Sequence, residues 1–181
     1  MADRHAARRA PLVPMSPDLR RLPAASRHIL RGGPKVRLAA QGAFGVAIPE
    51  TACRAASQEE RAALWLGPDE WLLISPEHSL DETTSALTNA LVQLPHSLVD
   101  VSHRQIALEL SGPRAERLLA AGCPLDLEAG AFPVGMCTRT VLGKTEIVLW
   151  RTATEAFRIE VWRSFAPYLS DFLEEAAHGV D

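Results

Sequence analysis

Asp100-Val101-Ser102-His103-Arg104-Gln105-Ile106-Ala107-Leu108-Glu109-Leu110-Ser111-Gly112-Pro113 divides this chain of 181 residues. Ile106, Leu108 and Leu110 alternate with Gln105, Ala107 and Glu109, the period-two pattern of a strand with one buried face. Upstream, Val99 and Val101 put the apolar residues on the opposite phase. A period of two cannot change phase without an extra residue, so the spacing predicts a bulge or break at 102–104. Gly112-Pro113 ends the strand and opens a helix, with Pro113 at the first helical position, where no amide donor is needed. On either side lie two similar α+β packages.

After the break, the pattern predicts a helix over 113–121, with Ala115, Leu118 and Leu119 inward and Gly122 as C-cap. A looped stretch, 123–130, leads to a hairpin over 137–150. Gly143-Lys144 occupies its two turn positions, as a type II′ turn prefers. Phe157 to Trp162 alternates as a strand, and 163–177 reads as a helix with Phe165, Tyr168, Leu169, Phe172, Leu173 and Ala176 on one face. Before the break, Trp65 and Trp71 flank a Pro68-Asp69 turn in a hairpin over 63–74. A helix over 80–94 is stopped by Pro95. Residues 36–39 and 45–48 read as short strands around Gly42. The order gives a mixed α+β fold with a mainly antiparallel sheet.

The chain is 47% apolar and 23% charged, ordinary for a globular protein. At this length roughly 70% of the unfolded surface can be buried, so a core needs no disulfides. No run of about 18 apolar residues suggests a membrane span. Cys53, Cys123 and Cys137 are too scattered for a disulfide framework or a C-x-x-C site, which fits a reducing compartment and a cytoplasmic protein. The net charge of −3 divides unevenly: residues 1–35 carry +6 and the remainder −9. Pro11, Pro14, Pro17, Pro23 and Pro34 forbid long helix there, so 1–35 reads as a basic, extended or disordered arm, and 36–181 as a single α+β domain. A tail, a partner-wrapping arm and a transit peptide are the three readings of that arm, and the prolines count against the last.

Asp100, Ser102 and His103 hold the residue types of a nucleophile triad. On a strand, 100 and 102 share a face and 103 points away, so a polar junction satisfying a broken ladder is the better reading. His5, His28, His78, His96, His103 and His178 lack metal-site spacing. Gly143-Lys144-Thr145 mimics the end of a phosphate loop without its earlier glycine, and the tight turn explains it. No catalytic, cofactor-binding or metal-binding residue is therefore assigned. Trp65, Trp71, Trp150 and Trp162 all fall on strands, where core burial is the usual role. Trp162 differs, because it shares the polar face of its strand with Arg158 and Glu160. Arg158, Glu160 and Trp162 together suit a protein–protein contact.

Asp100-Val101-Ser102-His103, then Ser111-Gly112-Pro113-Arg114-Ala115-Glu116-Arg117-Leu118-Leu119, then Gly143 before an apolar strand, resemble the folate-binding fold of aminomethyltransferase relatives. Gly67-Pro68-Asp69-Glu70-Trp71-Leu72-Leu73, Cys123-Pro124-Leu125-Asp126-Leu127 and Val161-Trp162-Arg163-Ser164-Phe165 narrow the resemblance to the gamma subunits of heterotetrameric sarcosine oxidase, over about 35–178. It implies two ferredoxin-like halves around a long central strand. It also implies a complex with alpha, beta and delta subunits that oxidises sarcosine to glycine, forms hydrogen peroxide and passes the one-carbon unit to tetrahydrofolate. FAD, FMN, NAD, tetrahydrofolate and zinc would sit on those partners, and this chain would be non-catalytic. Transferase relatives carry an acidic pair after the hairpin glycine. Here Lys144-Thr145-Glu146-Ile147 stands instead, which argues against independent folate chemistry. The rivals are an autonomous folate-binding one-carbon protein, the matching subunit of an N-methyl amino acid dehydrogenase, and nucleic-acid binding through the arm.

Overall fold

The computed structural model describes residues 18–179. Within them the chain forms β1 (Leu19–Arg21), β2 (Ala25–Gly32), α1 (Pro34–Phe44), β3 (Ala55–Gln58), β4 (Arg61–Gly67) and β5 (Glu70–Pro76). A one-turn 3-10 helix, Glu77–Ser79, leads into α2 (Leu80–Leu91), β6 (His96–Asp100) and β7 (Gln105–Ser111). Then come α3 (Ala115–Ala120), β8 (Cys137–Leu142), β9 (Thr145–Ala153), β10 (Ala156–Trp162) and α4 (Ala166–His178). This is the mixed α+β fold with antiparallel sheet that the sequence pattern indicated. No helix among the described residues is long and apolar enough to cross a membrane.

The single domain expected over 36–181 resolves into two compact units. The first comprises Ala24–Ser102 with Gly135–Thr138; the second comprises His103–Val134 and, of the described residues, 18–23 and 139–179. The physical reason lies at the phase break. β6 pairs with β2 in one sheet, while β7 pairs with β1 and β10 in another, so the expected long central strand is two strands in two sheets. The break is built from the polar residues at the junction. Asp100 Oδ1 accepts the Ser102 amide at 2.8 Å and its hydroxyl at 2.5 Å, and Ser102 Oγ accepts the Arg27 amide at 2.9 Å. Asp100 and Ser102 thus satisfy the end of a ladder, as a broken strand requires.

The first unit is a five-stranded sheet in the order β3-β4-β5-β2-β6. Leu30, Trp71 and Leu73 from its strands form a core with Val36, Ala40 and Phe44 of α1 and Leu87 and Leu91 of α2. Two expectations are corrected here. Residues 36–39 are helical: Pro34 supplies the first turn, Val36, Ala40 and Phe44 share a face at four-residue spacing, and Gly45 closes the end in a left-handed conformation. No strand forms over 45–48; Val46 and Ile48 are buried in the core from a loop. The arm boundary at residue 35 also moves. Ala25–Gly32 is β2, paired on both edges with β5 and β6, because its eight residues lie between Pro23 and Pro34 and contain no proline of their own. Leu19–Arg21 of the expected arm is likewise a strand, β1, paired with β7, and Pro34 and Lys35 open α1; residues 1–17 lie outside the described residues.

The second unit is a five-stranded sheet in the order β1-β7-β10-β9-β8. Phe157, Ile159 and Val161 alternate inward along β10 and are fully buried, as are Leu108 and Leu110 of β7 and Leu119 and Leu169 of α3 and α4. Arg151 of β9 is buried with them, and its guanidinium donates to the carbonyls of Leu127, Phe132 and Thr154 at 2.9, 3.0 and 2.6 Å. One cation thereby holds the 123–134 loop onto the sheet.

Candidate functional site

A candidate site in the second unit, carrying the exposed aromatic side chains Trp162 and Phe165, is assembled from the β8–β9 hairpin, the end of β10 and the start of α4. Gly143 has φ +59, the left-handed region that suits the first position of a two-residue hairpin turn. A Cβ there would lie 2.5 Å from Tyr168 Oη, so glycine is also what allows α4 to approach. The Tyr168 hydroxyl then accepts the Lys144 amide at 3.0 Å and fixes the hairpin tip. Beside it opens a groove of about 240 Å³, lined by Lys144, Thr145, Glu146, Trp162 and Phe165.

Trp162 is 42% exposed and Phe165 46%, although neighbouring strand residues are buried. The Arg104 guanidinium lies 5.0 Å from the Trp162 ring centroid, a cation–π contact that stiffens the indole. Opposite Trp162 in the ladder is Gln105, 7% exposed, whose Oε1 has no hydrogen-bond partner; Arg104 Nε has none either. An aromatic pair with an arginine at its rim is the composition of an interface anchor. Lys144 and Glu146 give the groove both signs of charge, so it presents no anion cradle.

The three residues expected to form a contact face are separated by depth. Trp162 is at the surface, whereas Glu160 is 1% exposed and paired with the Arg158 guanidinium at 2.8 Å. Arg158, its side chain 17% exposed, braces the strand from beneath rather than presenting a free charge. Sequence reading missed Phe165 and Arg104. Phe165 was placed on the buried stripe of the last helix, but α4 begins one residue later and leaves it at the N-cap. Arg104 sat in the expected break; its signal was a cation next to a strand paired antiparallel to that of Trp162. Trp71 is core, with its Nε1 donating to the Pro49 carbonyl at 2.7 Å. Ser102 and Asp100 are engaged with the backbone, as described. Among the described residues no group of three or more His, Cys, Asp or Glu could hold a metal ion.

Two α+β units, each an antiparallel sheet with helices, define the class. A similar fold is found in the glycine cleavage system aminomethyltransferase T from Bartonella henselae, with a TM-score of 0.63 over 86% of this chain and 44% of that one. At 14% identity that likeness concerns the fold alone. A chain of the heterotetrameric sarcosine oxidase from Corynebacterium sp. U-96 is far more similar: TM-score 0.83, 30% identity, 96% of this chain and 89% of that one. The sarcosine oxidase subunit gamma of Corynebacterium sp. (strain P-1) is 38% identical over 135 residues, covering 74% of this chain and 66% of the relative. That of an Arthrobacter species is 38% identical over 118 residues, 65% of this chain and 57% of the relative. The chain therefore spans less than two thirds of these curated relatives. The model of the sarcosine oxidase, gamma subunit family matches residues 31–179, and the chain belongs to that family.

Proposed function

We propose that this chain is the non-catalytic gamma subunit of a heterotetrameric sarcosine oxidase. In that assembly sarcosine is oxidatively demethylated to glycine, the one-carbon unit passes to tetrahydrofolate, and dioxygen is reduced to hydrogen peroxide. The observation that carries this reading is the match along nearly the whole chain to a chain of a solved heterotetramer. The alpha, beta and delta subunits are the partners, and FAD, FMN, NAD, tetrahydrofolate and zinc belong to them. The residues here suit that division. The groove segment Lys144-Thr145-Glu146 sets a cation next to its lone acid. The groove of Trp162 and Phe165, edged by Arg104, is the surface we assign to contact with a larger subunit. The working compartment is the cytoplasm.

The test is affinity purification of the tagged chain from its native source, with a visible spectrum, a gel and a sarcosine oxidation assay of the eluate. A yellow complex with larger companions that consumes sarcosine is expected. A colourless single species that binds tetrahydrofolate tightly would overturn the assignment in favour of a stand-alone folate protein.

A further inference from the structure

The first unit brings two of the three cysteines together at a point no sequence spacing suggests. Arg54 and Met136 form an antiparallel bridge, flanked by hydrogen bonds from the Cys137 amide to the Cys53 carbonyl at 3.0 Å and from the Ala55 amide to the Gly135 carbonyl at 2.9 Å. Antiparallel register then sets Cys53 directly opposite Cys137. One of the two backbone hydrogen bonds of such an opposed pair is formed here, from the Cys137 amide; where both form, the Cα atoms lie about 5.5 Å apart. A disulfide spans Cα separations of about 4.4–6.8 Å. Cys53 also has φ +57, a left-handed conformation seldom adopted by a residue with a side chain.

We propose that Cys53 and Cys137 are a dithiol pair that hydrogen peroxide converts to a reversible disulfide, tying the Gly135–Thr138 segment to Cys53–Ala55. The chain needs no third thiol for this: Cys123 belongs to the second unit, beside Thr140. The pair is asymmetric. Cys137 is fully buried, its thiol directed at the Trp65 carbonyl, and burial pushes its pKa up to about 12, with the nearby Cys53 charge adding to the rise. Cys53 is half-buried and is the thiol that oxidant reaches first. The Cys53 sulfur attacks one peroxide oxygen, the O–O bond breaks, and water leaves, giving a sulfenic acid. Cys137 surrenders its proton and attacks the Cys53 sulfur; the S–O bond breaks and a second water departs. Two thiols lose two electrons and the peroxide is reduced to two waters. A dithiol reductant reverses the change by exchange. Such transient disulfides are the kind that occur in reducing compartments.

The experiment is peroxide titration of the full-length chain, followed by iodoacetamide and digestion with trypsin plus a Glu-specific protease. Cleavage after Glu128 separates Cys123 from Cys137. Non-reducing mass spectrometry is expected to show a Cys53–Cys137 linked peptide that dithiothreitol abolishes, unchanged in Cys123→Ser. In Cys137→Ser, Cys53 is expected to accumulate as a dimedone-reactive sulfenic acid. Recovery of alkylated Cys137 at doses that consume the Cys53 thiol would overturn the proposal. So would a Cys53–Cys123 link, or a Cys53 untouched by peroxide. The wild-type map decides even if the Cys137 variant does not fold.

Discussion

The Arg104 guanidinium is stacked 5.0 Å from the centroid of the Trp162 indole, and that contact leaves a large aromatic ring held at the surface and 42% exposed. A ring fixed before binding loses little freedom on docking, which is why rigid aromatics dominate interface energies. Trp162→Ala should weaken assembly with the companion subunits by about 2 kcal/mol, roughly thirtyfold in affinity. Far-UV dichroism of the purified chain should stay unchanged. Assembly at wild-type affinity, measured by co-purification at graded concentrations, would remove this face as the interface.

Arg158 and Glu160 lie two residues apart on β10 and share an ion pair at 2.8 Å with the carboxylate buried. Breaking such a pair leaves an uncompensated charge, so Glu160→Gln should cost about 3 kcal/mol, seen as a lower urea midpoint. The double substitution Arg158→Met, Glu160→Leu should recover much of the loss, because it leaves no unpaired charge behind. A midpoint unchanged in the single variant would show that the pair does not contribute.

His28 on β2 is buried, and its tautomer follows from its neighbour. Thr84 Oγ1 donates its proton to the Leu80 carbonyl at 2.7 Å, so at 2.8 Å from His28 it accepts from Nε2–H. Nδ1 is left as a bare acceptor without a partner. Burial lowers the His28 pKa below its ordinary 6.5, opposed in part by the charge of Asp100 across the ladder. The folded state therefore binds fewer protons than the unfolded one, and stability falls as pH drops below 6.5. The slope from this group is at most about 1.4 kcal/mol per pH unit. His28→Gln should flatten the urea midpoint between pH 7.5 and 5.5 relative to wild type, since acid-range carboxylates titrate alike in both. Parallel curves would exclude the histidine as the source.

Gly143 holds the hairpin tip where a Cβ would meet Tyr168 Oη at 2.5 Å, on a backbone with φ +59. Gly143→Ala should therefore lower stability by about 1–2 kcal/mol from strain alone and shift the Lys144 amide away from the Tyr168 hydroxyl. Tyr168→Phe removes that acceptor without strain and should cost about 1 kcal/mol. Thermal melts rank the two; a Gly143→Ala melt at or above that of Tyr168→Phe would contradict the packing described.

Local pattern determined a good part of this protein. Trp65 and Trp71 around Pro68-Asp69, Gly143-Lys144 between two apolar strands, and the stripe of Leu87 and Leu91 are each decided within a dozen residues, where turn chemistry and side-chain period act without distant partners. The phase change at 102–104 was legible for the same reason. What tertiary structure alone decided is where each half goes. Leu98 pairs with Leu30 and Leu108 with Ile159, and no local rule links those residues across such separations. Ala25–Gly32 carries Arg27 and His28 yet is an interior strand, because strands on both sides satisfy its backbone, while Arg27 Nη1 donates to the Ala25 carbonyl and His28 Nε2 to the Thr84 hydroxyl. Val36–Ala39 is too short for period to separate helix from strand, and the core filled by Ala40 and Phe44 made the choice. Trp162 and Glu160 share a parity and differ in depth, since burial depends on what covers a strand along its length. The meeting of Cys53 with Cys137 is likewise a product of the folded chain, created by one antiparallel bridge between segments far apart in sequence.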